Sequence, residues 1–348
     1  FKAPYLKPFT IALGTIMATE TVLLRIVTED GLTGYGEGSP YHAVTGNYPE
    51  DILHFINRIR DKLIGADADD IAGIHALLDS ESAASTPAKA AIDIALYDLK
   101  GKRANMPLYR LLGGSRPNVY SDCTIGIKQR EEMVAHAREL VDQGFTILKI
   151  KAGVNIEDDI GNLAAIRKEV GDSITLRIDA NQGWDIKETI LAMKKLEALG
   201  IDEVEQPLRA FNLEGHAFVR NHISQHLMLD ESVHSPVDAL KAVKAGAADI
   251  INIKLMKSAG ILPALKINAI AEAAGIPCMV GCMLETWVGV TAGAHLAASQ
   301  PNITLADLDS HIKLNKSSIV TGGFEQHGSN ITLTEKPGLG VDVDWTAL

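Results

Sequence analysis

Cysteine is scarce in this chain of 348 residues. Cys123, Cys278 and Cys282 make an odd number with no CxxC pair, which argues against a disulfide framework or a zinc ribbon and leaves three core thiols. Dense runs of Lys or Arg are missing too, and 33 basic against 44 acidic residues leave a net charge of −11. Without clustered cations to displace counterions, a nucleic-acid partner is disfavoured. No apolar stretch reaches the roughly 18 to 20 residues that span a bilayer, and residues 1–10 lack the charged-then-apolar layout of a signal peptide. These absences predict a soluble, cytoplasmic protein with no membrane partner. The chain opens at Phe1 rather than at an initiator Met, so a few native residues are expected to precede it. A glycine-rich phosphate turn is also lacking. Its nearest approach, Gly34-Tyr-Gly36-Glu-Gly38, does not have GxGxxG spacing and reads as turn glycines of a hairpin.

What is present divides in two. The first ~115 residues are β then α: Thr21 to Thr28 is β-branched and apolar, Asp30-Gly31 is a turn, and Leu32 to Gly38 returns as a second strand. Ala91, Ile92, Ala95, Leu96 and Leu99 then recur at helical spacing within Ala88 to Lys100, before Pro107 and Gly113-Gly114 close the segment. From Tyr120 onward, short apolar strands centred on Thr124, Ile150, Ile178, Val204, Leu229, Ile253, Val280 and Leu305 recur every 24 to 28 residues. That interval accommodates a strand, a turn, a helix and a turn, so the repeats predict a parallel sheet, and about eight of them predict a closed α/β barrel. An open doubly wound sheet would announce itself by the missing glycine turn. Beyond Asp309 the rhythm stops, and the tail is expected to pack back on the N-terminal region. The predicted division is 1–115 for an α+β cap, 116–310 for the barrel and 311–348 for a segment returning to the cap.

In a parallel barrel, functional groups gather at the carboxyl ends of the strands. Here successive strands end in Lys149-Ile-Lys151, Asp179, Glu205, Asp230-Glu231, Lys254 and Asp307-Leu-Asp309. Taken singly, each acid reads equally well as the N-cap of the next helix. Three in register at one mouth are different, because each pair at ~4 Å repels by about 4 kcal/mol at an effective dielectric of ~20. A divalent ion removes that penalty, and an all-oxygen set favours Mg²⁺ over Zn²⁺. Lys149 and Lys151 share a face of a strand flanked by apolar residues, and Lys254 approaches from across the ring. Burial and neighbouring cations would bring Lys151 toward the neutral pH at which a base works. A cation with a lysine on either side suits removal of a proton α to a carboxylate, through an enediolate, and its return on the opposite face. His222 and His226 lie four apart as on one helix, without an HExxH pattern, and Cys282 has no evident His partner.

The segments Ala95-Leu-Tyr-Asp-Leu-Lys-Gly101, Leu111-Leu-Gly-Gly114, Lys149-Ile-Lys151, Arg177-Ile-Asp-Ala-Asn-Gln-Gly-Trp184, Glu203-Val-Glu-Gln-Pro207, Asp230-Glu-Ser232 and Asn252-Ile-Lys-Leu255 resemble the enolase superfamily, specifically its muconate-lactonizing-enzyme-like subgroup. The resemblance implies a modified (β/α)₇β barrel under an α+β cap. It implies Asp179, Glu205 and Asp230 as Mg²⁺ ligands, backed by Asn181 and Glu231, and Lys151 with Lys254 as the acid/base pair. Lys149 would tune Lys151 and help to hold the substrate carboxylate. Gly281-Cys-Met-Leu-Glu-Thr286 and the Asp307/Asp309 pair further resemble dipeptide epimerases, in which two aspartates take the substrate's free ammonium and the C-terminal residue is epimerised.

One departure from the Ala-Glu branch is that Gly14 stands where that branch carries an arginine, and residues 12–20 contain no Lys or Arg. A small first residue and a neutral or apolar second one are therefore expected, against a wall of Ile16, Met17, Met283, Leu284 and Trp287. The enzyme is expected to be a homo-oligomer. Rival activities are L-Ala-D/L-Glu epimerase, o-succinylbenzoate synthase, N-acylamino-acid racemase and muconate cycloisomerase; a non-catalytic small-molecule-binding barrel is the remaining alternative. A mandelate-racemase-type dehydratase would place a His/Asp dyad where Lys254 stands.

Overall fold

The computed structural model describes residues 1–314 and 319–347. Two antiparallel hairpins open the chain, β1 (Lys2–Ile11) with β2 (Gly14–Glu20) and β3 (Val22–Val27) with β4 (Thr33–Gly38). The second matches the sequence reading; the first was not expected. Helices Pro49–Leu63, Ile71–Glu81 and Thr86–Arg103 follow. The glycines read as turn residues have another job. A Cβ on Gly34, Gly36 or Gly38 would lie within 2.6 Å of the carbonyl oxygen of Ala95, Ala91 or Pro87 respectively. Period two on the strand thus meets period four on helix Thr86–Arg103, and side chains are omitted so that the two backbones can touch.

After β5 (Asn118–Tyr120) come the eight barrel strands: β6 (Cys123–Ile125), β7 (Ile147–Lys151), β8 (Thr175–Asp179), β9 (Ile201–Glu205), β10 (His226–Leu229), β11 (Ile250–Lys254), β12 (Cys278–Gly281) and β13 (Ile303–Asp307). All are parallel and paired in chain order. A parallel bridge from Ser121 to Ala306 brings the two ends of the sheet together. Their centres fall where the repeat spacing put them, because each strand is an apolar run packed between barrel interior and outer helix. His222 and His226 do not share a helix: His222 lies in the turn after helix Leu213–Arg220, and His226 begins β10.

The tail forms β14 (Val320–Gly322), β15 (Phe324–His327), β16 (Asn330–Leu333) and β17 (Val341–Val343). β16 pairs with β5, the amide of Leu108 donates to the carbonyl of Gly338 at 2.8 Å, and Trp345 stacks on Tyr35 of β4. Buried carboxylates join the N-terminal region to the barrel. Glu37 accepts from Thr286 N (2.7 Å), Thr286 Oγ1 (2.8 Å) and Gly289 N (2.8 Å), at the start of helix Trp287–Ser299. Asp93 accepts from the amides of Ile261 and Leu262, at the start of helix Ile261–Ala273. In each case a side chain from one unit satisfies orphan helix N–H groups of the other. No helix among the described residues is long and apolar enough to cross a membrane.

Candidate active site

Strand register sets the heights of the functional groups. Lys151 lies opposite Asp179 and Asp179 opposite Glu205, while across the barrel Lys254 lies opposite Gly281 and Gly281 opposite Asp307. Gly281 keeps this ring open: a Cβ there would stand 2.7 Å from Asn252 Oδ1 and 3.0 Å from Lys254 Cε. Asp230 follows the end of β10 and completes an acidic trio with Asp179 and Glu205. One carboxylate oxygen from each lies within 4.8 Å of the others, and all three residues are buried.

The trio is embedded in lysines. Lys151 Nζ is 2.6 Å from Asp179, and Lys254 Nζ is 2.7 Å from Asp230. Lys257, from the turn of helix Leu255–Ser258, reaches the other Asp230 oxygen at 2.6 Å. Burial opposes ionisation of Asp230, but Lys254 and Lys257 hold it well below the usual carboxylate range. Lys151 and Lys149 likewise outweigh burial at Asp179. Glu205 is pushed up to about 8, by burial and then by Asp179, so the trio alone retains a proton that a cation would displace. Three converging carboxylate oxygens with no nitrogen or sulfur donor fit a hard divalent ion. Asn252 steadies Glu205, donating Nδ2–H to Oε1 at 2.8 Å. Asn181 donates its backbone N–H to Asp179 (2.9 Å) and its Nδ2–H to Glu231 (3.0 Å), linking Glu231 to the trio.

A cavity of about 600 Å³, including its mouth, opens over this ring. Its floor holds Lys151, Lys254, Asp230, Glu231, Asn181, Asp307 and Asp309. Lys151 and Lys254 stand on β7 and β11, four strands apart in a ring of eight, and so face each other across it.

Several expectations require correction. Lys149 is fully buried and does not line the cavity; it is held by Glu205 (2.7 Å), Asp307 (2.7 Å) and Asp179 (3.1 Å). Two residues before Lys151 means one side-chain layer deeper, roughly 6.6 Å by strand rise, where its ammonium meets three acids. Gly14 sits at the exposed tip of the β1/β2 hairpin and does not line the cavity. Met17 is exposed, and Trp287 faces a neighbouring groove. Ile16, Met283 and Leu284 do line the wall. All three cysteines are buried free thiols as expected, and Cys282 also forms part of the cavity wall.

Other contributors carry no site role in the sequence reading. Tyr5, Phe9, Ile11 and Leu13 come from the unexpected first hairpin and roof the cavity. Lys313, in the short turn Ser310–Lys313, joins them and lies 2.6 Å from Asp309. Gln206 is a buried hub whose Oε1 accepts the amides of Asp230 (2.8 Å) and Ser232 (3.1 Å).

Residues 2–113 match the mandelate racemase/muconate lactonizing enzyme N-terminal domain, and residues 132–347 match the enolase C-terminal domain-like family. The chain belongs to the mandelate racemase/muconate lactonizing enzyme family, within the enolase superfamily. Among characterised members, the hydrophobic dipeptide epimerase of Enterococcus faecalis is 48% identical over 96% of this chain and 94% of its own. The L-Ala-D/L-Glu epimerase of Clostridium acetobutylicum is 44% identical over 97% and 95%. The crystal structure of an E. faecalis dipeptide epimerase complexed with Mg and the dipeptide L-Leu-L-Tyr superposes with a TM-score of 0.96 at 46% identity, covering 98% of this chain and 97% of that one. Family members at this distance are isomerases acting on amino-acid derivatives.

Proposed function

We propose that this family member is a Mg²⁺-dependent dipeptide epimerase that inverts the α-carbon of the C-terminal residue, taking a small first residue and a neutral or apolar second one. The observation that carries the reading is the placement of Lys151 and Lys254 on opposite sides of one cavity, over three carboxylates suited to a divalent ion. Asp179, Glu205 and Asp230 would hold Mg²⁺, which when bound supplies the charge that makes an α-proton next to a carboxylate acidic. One lysine, in its amine form, takes the proton from Cα, and the ammonium opposite delivers one to the other face. The proton count is unchanged and the configuration inverts. Lys149 helps to keep Asp179 and Asp307 ionised from below and opposes the burial that raises Glu205. Asp307 and Asp309, whose carboxylates face the cavity, would take the substrate's N-terminal ammonium. That use of an ammonium separates the reading from o-succinylbenzoate synthase, N-acylamino-acid racemase and muconate cycloisomerase, whose substrates present none.

Ile11, Leu13, Ile16, Met283 and Leu284 support a neutral or apolar second residue. The hydrophobic dipeptide epimerase of E. faecalis accords with that preference. The cap reading of 1–115 and 311–348 around a barrel of 116–310 rests on the buried carboxylates that join the units and on the β16/β5 pairing. Action in the cytoplasm accords with three buried unpaired thiols. A homo-oligomer accords with exposed Leu191, Phe218, Val237 and Leu240 on three successive barrel helices.

Incubation of a dipeptide library with enzyme and Mg²⁺ in D₂O tests the function. We expect one deuteron at the C-terminal α-carbon and two diastereomers at equilibrium for Ala-Leu-type dipeptides. Lys151→Ala and Lys254→Ala should each abolish epimerisation, and full activity in either would sink the two-lysine mechanism. A library without α-deuteration would sink the activity itself.

A further inference from the structure

In this structure both aspartates of the Asp307/Asp309 pair already carry an ammonium. Asp307 Oδ2 is 2.7 Å from Lys149, and Asp309 Oδ2 is 2.6 Å from Lys313 while accepting the Thr124 amide at 2.6 Å. The two lysines differ in reach. Lys149 lies below the floor, whereas Lys313 lines the cavity itself, its ammonium 4.8 Å from the centre of the Phe9 ring in the roof. A buried lysine beside a substrate cavity needs a partner, and among the described residues Asp309 supplies it; burial opposes the charged form, yet Asp309 keeps it charged. On the reading above, the substrate's ammonium approaches this same aspartate. The side chain on the adjacent α-carbon then lies within a few ångströms of Lys313, in a space screened from solvent by Tyr5 and Phe9.

We propose that Lys313 is a specificity-determining residue that reads the charge of the substrate's first residue, favouring a carboxylate-bearing or neutral side chain and rejecting a cationic one. The inference rests on the proposed function. Two effects combine. A Lys or Arg side chain in first position places a second cation next to the ammonium of Lys313, where the other acid of the pair, Asp307, is already held by Lys149. An Asp or Glu side chain offers Lys313 an alternative partner, which releases Asp309 to the incoming ammonium. A small neutral side chain gains neither and must compete with Lys313 for Asp309. The second residue's pocket, on the Ile16 and Leu284 side, is not involved.

The test holds the second residue constant and varies the first through Glu-Leu, Ala-Leu and Lys-Leu, measuring kcat/KM for epimerisation in wild type, Lys313→Met and Lys313→Arg. We expect wild type to prefer Glu-Leu over Lys-Leu, Lys313→Met to shrink that ratio about tenfold or more, and Lys313→Arg to retain it. Lys313→Met should also lower KM for Ala-Leu, since the competing ammonium is gone. An unchanged Glu-Leu to Lys-Leu ratio in Lys313→Met, or a wild type that prefers Lys-Leu, overturns the proposal. If Lys313→Met does not fold, as judged by circular dichroism, Lys313→Gln carries the same measurement. Failure of the underlying function looks different: no dipeptide in the series would then incorporate deuterium in any variant.

Discussion

Asp309 is the residue on which the substrate reading turns, and its surroundings show how much depends on neighbours. It accepts the Thr124 amide and the Lys313 ammonium, so its carboxylate is oriented before any ligand arrives. An aspartate fixed in that way loses little entropy on binding a second cation. Asp309→Asn keeps the Thr124 contact but removes the charge. We expect KM for free-amine dipeptides to rise about tenfold or more with a smaller effect on kcat, measured by steady-state epimerisation. An N-acetylated dipeptide should show no such change, and equal losses for both substrates would return the N-acylamino-acid racemase reading to favour. Lys151, Lys254 and the trio were legible at this scale because a polar residue closing an apolar run marks a strand end. Lys257 was not, since it reaches Asp230 at the end of a neighbouring strand, and although Lys313 stands only four residues after Asp309, its place in the cavity wall is set by packing that no local pattern encodes.

At the scale of elements, the segment after β12 shows how the cap shapes the barrel. Met283 and Leu284 line the cavity, and their backbone is gripped from several sides. Thr19 of β2 donates its hydroxyl to the carbonyl of Leu284, Ser310 donates to that of Glu285 at 2.8 Å, and Glu37 of β4 takes the Thr286 and Gly289 amides. Glu37 also accepts from Thr21 at 2.9 Å, so one buried carboxylate joins hairpin, loop and helix. Glu37→Gln replaces an acceptor oxygen by a donor among groups that all donate. A loss of about 1–3 kcal/mol in unfolding free energy is expected, together with a raised KM because the Leu284 wall loosens. Thermal or urea denaturation checks the first and kinetics the second. The glycines of β4 teach the same lesson. Their spacing was visible, but their role as contact points for helix Thr86–Arg103 was not, because sequence gives no distance between two elements.

Stability of the whole molecule should depend on acid through buried histidines. His295 accepts the Tyr109 amide on Nδ1 (3.0 Å) and faces the carbonyl of Leu339 with Nε2 (3.2 Å), tying helix Trp287–Ser299 to both the N-terminal region and the tail. That arrangement requires the neutral ring, and burial lowers its pKa to about 4. An unfolded histidine takes its proton near ~6.5. The unfolded chain therefore binds more protons between those values, and stability is lost as pH falls from about 6.5 toward 4. The gap between those values corresponds to about 3 to 4 kcal/mol at most. Urea denaturation at pH 7 and pH 5 should show the decline, and His295→Gln should reduce it, His216, His234 and His311 supplying the remainder; an identical slope in that variant would remove His295 as a cause.

The sequence by itself determined the barrel, its eight strands, and the trio and two lysines at their ends, because strand periodicity and the strand-helix repeat are local and a residue's height in a barrel follows from its position along its own strand. Only the tertiary structure decided depth, roof and pairing. Lys149 falls one layer below Lys151, the first hairpin supplies the roof, and Asp309 finds Lys313 waiting. Depth is a layer within a closed ring, the roof is a distance between segments far apart in the chain, and Lys313, although only four residues after Asp309, meets the cavity through the packing around its turn.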